Sequence, residues 1–425
     1  MITLIRADRL IDGTGAAALL DPILAVADGR VMALFQGQVP DGAVTGDALT
    51  LDCRGCTLLP GLIDAHVHLN LPGDGSTLEE AARESDGVLV ATATFAAVRA
   101  LAAGITTVRD VGSARGTVFD VRRAQVMGHG HGARILACGP PITITGGHTW
   151  CLGGEADGED ALRRKVRETI KLGADFIKVM ASGGGTVGTM SWLPAFQPRE
   201  LAAISDEAHR MDRKVAMHCL CAAATDDAIA AHADHIEHAG FIVDSTGRQE
   251  YLPATAERIA RAGIPVSGTL AVAGCVVQAM QRIAQRAPAE QALLDRWRHA
   301  LDVNLHQFSR MREAGVRFVA GTDAGWRFTA IEALPMEIAL MHQGGLSAMA
   351  SIVAATSECA RALGIDAEVG TLRPGMAADV IAVIGNPLDD LRRLGDVSMV
   401  MQGGSIRRFS TATTQSASGG GTSAN

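Results

Sequence analysis

Between Pro60 and about Gly364, short apolar stretches alternate eight times with Ala-rich stretches, and this alternation constrains the fold more than any other feature. The apolar stretches span 64–69, 105–111, 134–138, 176–180, 214–219, 235–239, 265–270 and 317–322. Four of the helical stretches stop at Ala103-Gly104, Leu172-Gly173, Ala262-Gly263 and Ala314-Gly315, where glycine suits the left-handed position that ends a helix. Eight strand–helix units over about 300 residues predict an α/β fold, a (β/α)8 TIM barrel over 60–364.

The flanks read differently. In residues 1–59 apolar runs are separated by Asp12-Gly13 and Asp28-Gly29, both hairpin signals. In 365–408 the run from Val369 to Ile384 has the turn and alternation of another hairpin. The two ends are expected to pair into one discontinuous β-sandwich-like domain, and the Ser/Thr/Gly-rich 409–425 to be a disordered tail.

Composition narrows the function. The formal net charge of −8 and the lack of a basic stripe argue against a nucleic-acid binder. Eight scattered cysteines fit a reduced protein, and Cys53-Arg-Gly-Cys56 lacks the second pair or the βαβ context that zinc or redox chemistry needs. The N-terminus has no leader pattern and no apolar run reaches spanning length, so a cytoplasmic protein without a membrane segment is expected.

Chemistry in such barrels sits at the C-terminal strand ends. The first strand carries His66-Val-His68, and side chains two apart on a strand share a face, so the pair makes a metal chelate. The other ends offer Asp110, His148 after Gly146-Gly147, Lys178, His218, His238 and Asp323. A lysine between Ile177 and Val179 is costly as a buried cation. Burial favours its neutral amine, which can take up carbon dioxide as a carbamate with two oxygens able to bridge two cations. His129 and His131 precede the third strand, on the wrong barrel face, while His209, His299, His306 and His342 fall in helical stretches. His232 and His235 lie short of the strand end that carries His238.

Together the motifs Pro60-Gly-Leu-Ile-Asp-Ala-His-Val-His68, Ile177-Lys-Val-Met-Ala-Ser-Gly-Gly184, Val215-Ala-Met-His218, His235-Ile-Glu-His238, Ala320-Gly-Thr-Asp-Ala324 and Gly370-Thr-Leu-Arg-Pro-Gly-Met-Ala-Ala-Asp-Val380 resemble the amidohydrolase superfamily with a binuclear metal centre. The resemblance runs from about residue 3 to 408 and is strongest to the branch of Xaa-Pro dipeptidases (prolidases) and ochratoxin-hydrolysing amidohydrolases; imidazolonepropionases lie further off. It implies two divalent metal ions, with zinc expected and manganese or cobalt able to substitute. His66 and His68 would hold the more buried ion, His218 and His238 the more exposed one, and a carboxylated Lys178 would bridge them. Asp323 would bind the first ion and act as general base. Cys219-Leu-Cys221 departs from the family's usual continuation after His218, which bears on substrate contacts in that loop.

Aromatic residues make up only 4% of the chain, yet they gather on the later rim loops. His148 and Trp150 follow the third strand, Trp192 lies in the loop 182–196, and Trp326, Arg327 and Phe328 follow the eighth. An apolar loop over 271–277 completes the set. His148, Trp150, Trp192, Trp326 and Arg327 are therefore expected to bind substrate, with a pocket for a bulky apolar or aromatic group and Arg327 or His148 available for a carboxylate. His148 is also placed to stabilise a developing oxyanion. The expected activity is hydrolysis of N-acyl amino acids or dipeptides, with ochratoxin A cleaved to ochratoxin α and phenylalanine as the example the resembled branch offers. Xaa-Pro dipeptides and imidazolonepropionase-type cyclic amides are the alternatives. A non-catalytic scaffold barrel would have lost ligands, and none is missing. The partners expected are small-molecule amide or dipeptide substrates and further copies of the chain in a homo-oligomer.

Overall fold

Asp28 and Gly29 both take positive φ, at 51° and 77°, and fold the chain back on itself with the twist that flanking strands require. The hairpin they close lies in a computed structural model that describes residues 2–410. It joins β3 (Pro22–Ala27) to β4 (Arg30–Gln36), after β1 (Ile2–Leu10) and the short β2 (Leu19–Leu20). A long β5 (Ala48–Pro60) runs parallel to β1. Asp12-Gly13 is not a tight hairpin turn as expected. It lies in the wide loop between β1 and β2, where Asp12 O accepts from Leu372 N and Gly13 O from Ser357 Oγ.

Eight short parallel strands follow: β6 (Leu62–Val67), β7 (Ile105–Asp110), β8 (Arg134–Ala137), β9 (Phe176–Val179), β10 (Lys214–His218), β11 (His235–Glu237), β12 (Val266–Ser267) and β13 (Phe318–Val319). They form one sheet in the order β6-β7-β8 and another in the order β13-β12-β11-β10-β9. Isolated parallel bridges Val67↔Ala324 and Ile142↔Val179 connect the edges of the two. Ladder hydrogen bonds continue at these seams, from Ala65 N to Ala320 O at 3.0 Å and from Ile142 N to Lys178 O at 2.8 Å.

Most of these strands are shorter than the apolar stretches that encode them, because their C-terminal ends leave the ladder. Thr269 after β12 and Asp323 after β13 take φ of 49° and 58°, which re-aims both side chains. The expected apolar loop at 271–277 is instead the start of a helix, Ala271–Gln281. Its Ala-Val-Ala-Gly-Cys run carries no turn signal, and its first N–H is satisfied from another helix, a partner the local sequence does not reveal.

The C-terminal segment contributes β14 (Val380–Ile384), β15 (Val397–Gln402) and β16 (Ser405–Phe409). The hairpin expected within 369–384 is absent: β14 pairs with β15 and with β5, and the Gly-rich 370–378 instead docks beside Asp12, Gly29 and Val31. All strands from the two ends belong to a single eight-stranded sheet, order β16-β15-β14-β5-β1-β3-β4 with β2 on β1. Its alternation sorts two cores. Leu58, Val380 and Ala382 pack with Ile5, Leu24 and Met399, while Leu59, Ile381 and Val383 face the helices around the parallel strands. Phe409, expected in the tail, ends β16, and Ser410 N bonds Ser398 O. The rest of the expected tail, 411–425, lies outside the described residues.

Candidate metal centre and active site

Asp64 pins β6 to the end of β13. Its buried carboxylate accepts from His66 N at 3.1 Å, Thr322 N at 3.0 Å and Thr322 Oγ1 at 2.7 Å. Burial pushes its pKa up to about 6 against these bonds. The pin sets His66 and Asp323 facing one another, with Nε2 3.4 Å from Oδ1; His68 Nε2 lies 3.2 Å from the same oxygen.

Each imidazole has one nitrogen engaged by the surrounding protein. His66 Nδ1 lies 2.8 Å from Glu237 Oε2, and Glu237 Oε1 accepts from Arg109 Nη2 at 2.6 Å. His68 Nδ1 donates to Gly112 O at 3.0 Å, and His218 Nε2 to Gly183 O at 3.3 Å. His238 Nδ1 meets Thr269 Oγ1, and His148 Nδ1 meets Thr186 Oγ1, both at 2.8 Å. Such outer contacts fix ring orientation and leave the second nitrogen for a ligand. The rings are mutual neighbours, with centroids 5.6 Å apart for His66–His68, 5.0 Å for His66–His238, 4.6 Å for His218–His238 and 4.7 Å for His148–His218.

Charge follows burial. Burial pushes His148 and His238 down to about 3, and burial with the neighbouring His238 and His148 holds His218 well below the ordinary range. Neutral imidazoles are the form that takes a metal. For Asp323, burial acts upward, but His66 and His68 outweigh it and hold the carboxyl well below the ordinary range. Burial lowers Lys178, whose Nζ is enclosed without a hydrogen-bond partner among the described residues. An ammonium with no acceptor is costly there, so the neutral amine is favoured. His66, His238 and Asp323 each offer a ligand atom within 4.8 Å of the others and can hold a metal ion. His66 differs: burial acts downward, but Glu237 and Asp323 outweigh it and raise its pKa. The orphaned amine and the imidazoles held neutral, His148, His218 and His238, fit such a group.

Beside these side chains lies a cavity of about 370 Å³, walled by Leu270, Trp297, Phe308, Met311, Trp326 and Arg327. His148 also lines it, as expected, but Trp150 and Trp192 do not. Thr149, at φ 63°, turns Trp150 outward to 42% exposure, and Trp192 is half-buried farther along its loop. The glycines of that loop serve approach: a Cβ on Gly184 would lie 2.5 Å from the His148 ring, and one on Gly185 2.4 Å from Trp326. Arg327 stacks between two rings, 5.6 Å from Trp297 and 5.5 Å from Trp326, with no ion pair among the described residues.

The other histidines stay apart. His129 and His131 are exposed, and the buried His235 bonds Ser267 Oγ at 2.9 Å. Sequence reasoning missed Trp297, Thr186, Thr269 and Glu237. Glu237 sat inside a quoted motif, and strand alternation could have turned it inward, whereas Trp297 lies within a 26-residue helix, Pro288–Glu313, with no local signal.

Known proteins speak to this geometry. The amidohydrolase family matches residues 57–407. The chain belongs to the amidohydrolase family. Among amidohydrolase-related proteins, the ochratoxinase of Aspergillus niger is 28% identical over 95% of this chain and 86% of its own length. The imidazolonepropionase of Mesorhizobium japonicum is 26% identical over 92% of this chain and 93% of its own. The crystal structure of a Xaa-Pro dipeptidase with bound methionine superposes with a TM-score of 0.83 at 27% identity, covering 96% of this chain and all of that one. The protein is thus a hydrolase with the α/β, TIM-barrel type of fold found in amidohydrolases. No helix among the described residues is long and apolar enough to cross a membrane.

Proposed function

We propose that this amidohydrolase cleaves the amide bond of N-acyl amino acids or dipeptides at a two-metal centre. The observation that carries the reading is Lys178, a buried amine without a hydrogen-bond partner among the described residues, beside four histidines and an ionised carboxylate. His66 and His68 would hold one ion, His218 and His238 the other, with Asp323 on the first and carboxylated Lys178 across both. Zinc suits nitrogen and oxygen ligands, with manganese or cobalt as substitutes. Bound ions of this kind acidify water and polarise the scissile carbonyl. Asp323, held ionised, accepts the proton of the attacking water on its carboxylate and passes it to the leaving nitrogen. His148, kept neutral by burial, donates a hydrogen bond to the oxygen that gains charge.

The substrate reading rests on the cavity wall. Trp297, Trp326 and Phe308 suit a bulky aromatic or apolar group, and Arg327, with no ion pair among the described residues, suits a free carboxylate. Ochratoxin A, split into ochratoxin α and phenylalanine, combines both features, and a relative is named for that activity. A Xaa-Pro dipeptide is the second reading, favoured by the dipeptidase neighbour; a cyclic amide of the imidazolonepropionase kind is the third. Initial rates of the metal-replete protein on ochratoxin A, an N-acyl-phenylalanine and a Xaa-Pro dipeptide test the order. The bulky-group reading expects the first two to lead and to depend on Trp326. A dominant rate on the small dipeptide, indifferent to Trp326→Ala, refutes it.

The same reading takes the eight parallel strands as one closed (β/α)8 barrel over 60–364, with 1–59 and 365–408 as a single accessory domain. The seam bridges support closure, and the shared sheet supports the accessory domain. A cytoplasmic setting is supported by eight free cysteines, and we retain a homo-oligomer as the working state.

A further inference from the structure

Glu337 is an acid in an apolar place. It sits on the helix Leu334–Gln343, fully buried, and its Oε2 accepts from Ala271 N at 2.6 Å. Its Oε1 has no hydrogen-bond partner among the described residues. A buried polar atom left unpaired is destabilising, so a leucine would be the ordinary choice on this face.

What Glu337 holds explains its presence. Ala271 is the first residue of the helix Ala271–Gln281, and Leu270 before it has no capping side chain. One residue earlier, Thr269 takes φ 49°, a left-handed backbone that a β-branched residue rarely adopts. Thr269 Oγ1 lies 2.8 Å from His238 Nδ1, and His238 is itself left-handed at φ 69°. The His238 N–H bonds Ser267 O at 2.7 Å. A strained turn therefore orients His238, and among the described residues the only side-chain hydrogen bond to its far end comes from Glu337. Leu270 and Ala273, on either side of this anchor, line the substrate cavity.

We propose that Glu337 is a positioning residue: through Ala271 it pins the strained Thr269–Leu270 turn and so sets the His238 ring for its metal. The inference rests on the two-metal reading above. Glu337 does not line the cavity, and it would act on the ion only through the turn that holds Thr269.

The test measures metal ions per chain after dialysis against a chelator, together with kcat, KM and Tm. The proteins are the wild type, Glu337→Gln, Glu337→Ala, Glu337→Asp, Thr269→Val and the Glu337→Ala/Thr269→Val double variant. Glutamine keeps an oxygen for Ala271 N and is expected to retain both ions and kcat within about threefold. Alanine, and aspartate with its retracted carboxylate, are expected to weaken retention of one ion of the pair by about 10- to 100-fold and to lower kcat similarly. Thr269→Val is expected to do the same, and the double variant to be no worse than the poorer single one. If alanine does not fold, aspartate and Thr269→Val carry the comparison. Full metal retention and kcat in Glu337→Asp with only a lower Tm would overturn the proposal, as would additive losses in the double variant. A wild type that hydrolyses amides without bound metal would instead overturn the two-metal reading, so the two failures are distinguishable.

Discussion

On the proposed two-metal reading, Lys178 is the residue on which the chemistry would turn. Its Nζ is buried beside His66, His218 and His238 with no oxygen among the described residues to accept from it, a state that a carbamate would relieve. Lys178→Ala is expected to cut kcat/KM by at least about a hundredfold and to lower the metal content found by elemental analysis. A short carboxylic acid added to that variant should restore part of the activity by supplying two bridging oxygens. Unchanged metal content and rate in the variant would exclude the bridging role. Glu337 makes a second prediction at this scale. Burial pushes it from an ordinary 4.5 up to about 8 against the Ala271 and Leu270 N–H groups. The unfolded chain releases that proton near 4.5 and the folded chain keeps it to about 8. Between these values the folded state binds more protons, so Glu337's contribution to stability is full at low pH and is lost as pH rises. Urea midpoints of the metal-free protein at about pH 5 and pH 8 should therefore converge in Glu337→Gln relative to the wild type. An equal fall in both proteins would show that Glu337 ionises normally.

At the scale of elements, one helix and one loop build the wall of the cavity proposed for substrate. The helix Pro288–Glu313 brings Trp297 and Phe308 to the cavity, and the turn after β13 brings Trp326 and Arg327. Arg327 is left-handed at φ 51° and lies against two indoles, which hold its guanidinium in place without an acidic partner among the described residues. Arg327→Met should raise KM by about 10- to 100-fold for substrates with a free carboxylate, the scale of a charge-assisted bond. The same substrates with the carboxylate amidated should show little change. Equal effects on both would assign Arg327 to packing. Trp297→Ala should raise KM for aromatic acyl substrates more than for small dipeptides, which steady-state kinetics on the two classes would resolve.

At the scale of the molecule, the chain ends close one sheet over the helices around the parallel strands. Asp379 O accepts from Gly61 N at 2.9 Å, Asp379 Oδ2 from Arg134 Nη1 at 2.8 Å, and Thr106 O from Gln402 Nε2 at 3.0 Å. Leu59, Ile381, Val383 and Val400 are buried at this junction, each contributing roughly 1.5–3 kcal/mol. A chain ending at residue 377 loses β14–β16 and exposes β5 as a long apolar edge. It should aggregate, or show rapid limited proteolysis within the first 60 residues, whereas removal of 411–425 should leave Tm within about 2 °C. A soluble, metal-binding 377-residue product would show that the sheet is dispensable.

The sequence by itself determined the eight short apolar stretches and the residues at their ends. These depend on local periodicity and on glycine stops, both visible within a dozen residues. It also offered His66, His68, Lys178, His218, His238 and Asp323 as candidate ligands, because a histidine pair and a lysine in apolar strands are rare without a reason. What lies around them was decided only by tertiary structure. Glu237 on His66, Thr269 on His238 and Glu337 on Ala271 join residues 171, 31 and 66 positions apart. No local pattern encodes such pairs, since each bond exists only once the strands are side by side. Trp150, Trp192 and Trp297 make the same point: a backbone angle at Thr149 sends one ring to solvent, and helix packing brings in a distant one. Composition can say that a loop is aromatic, but the direction of each ring follows from the backbone that presents it and from the packing beneath.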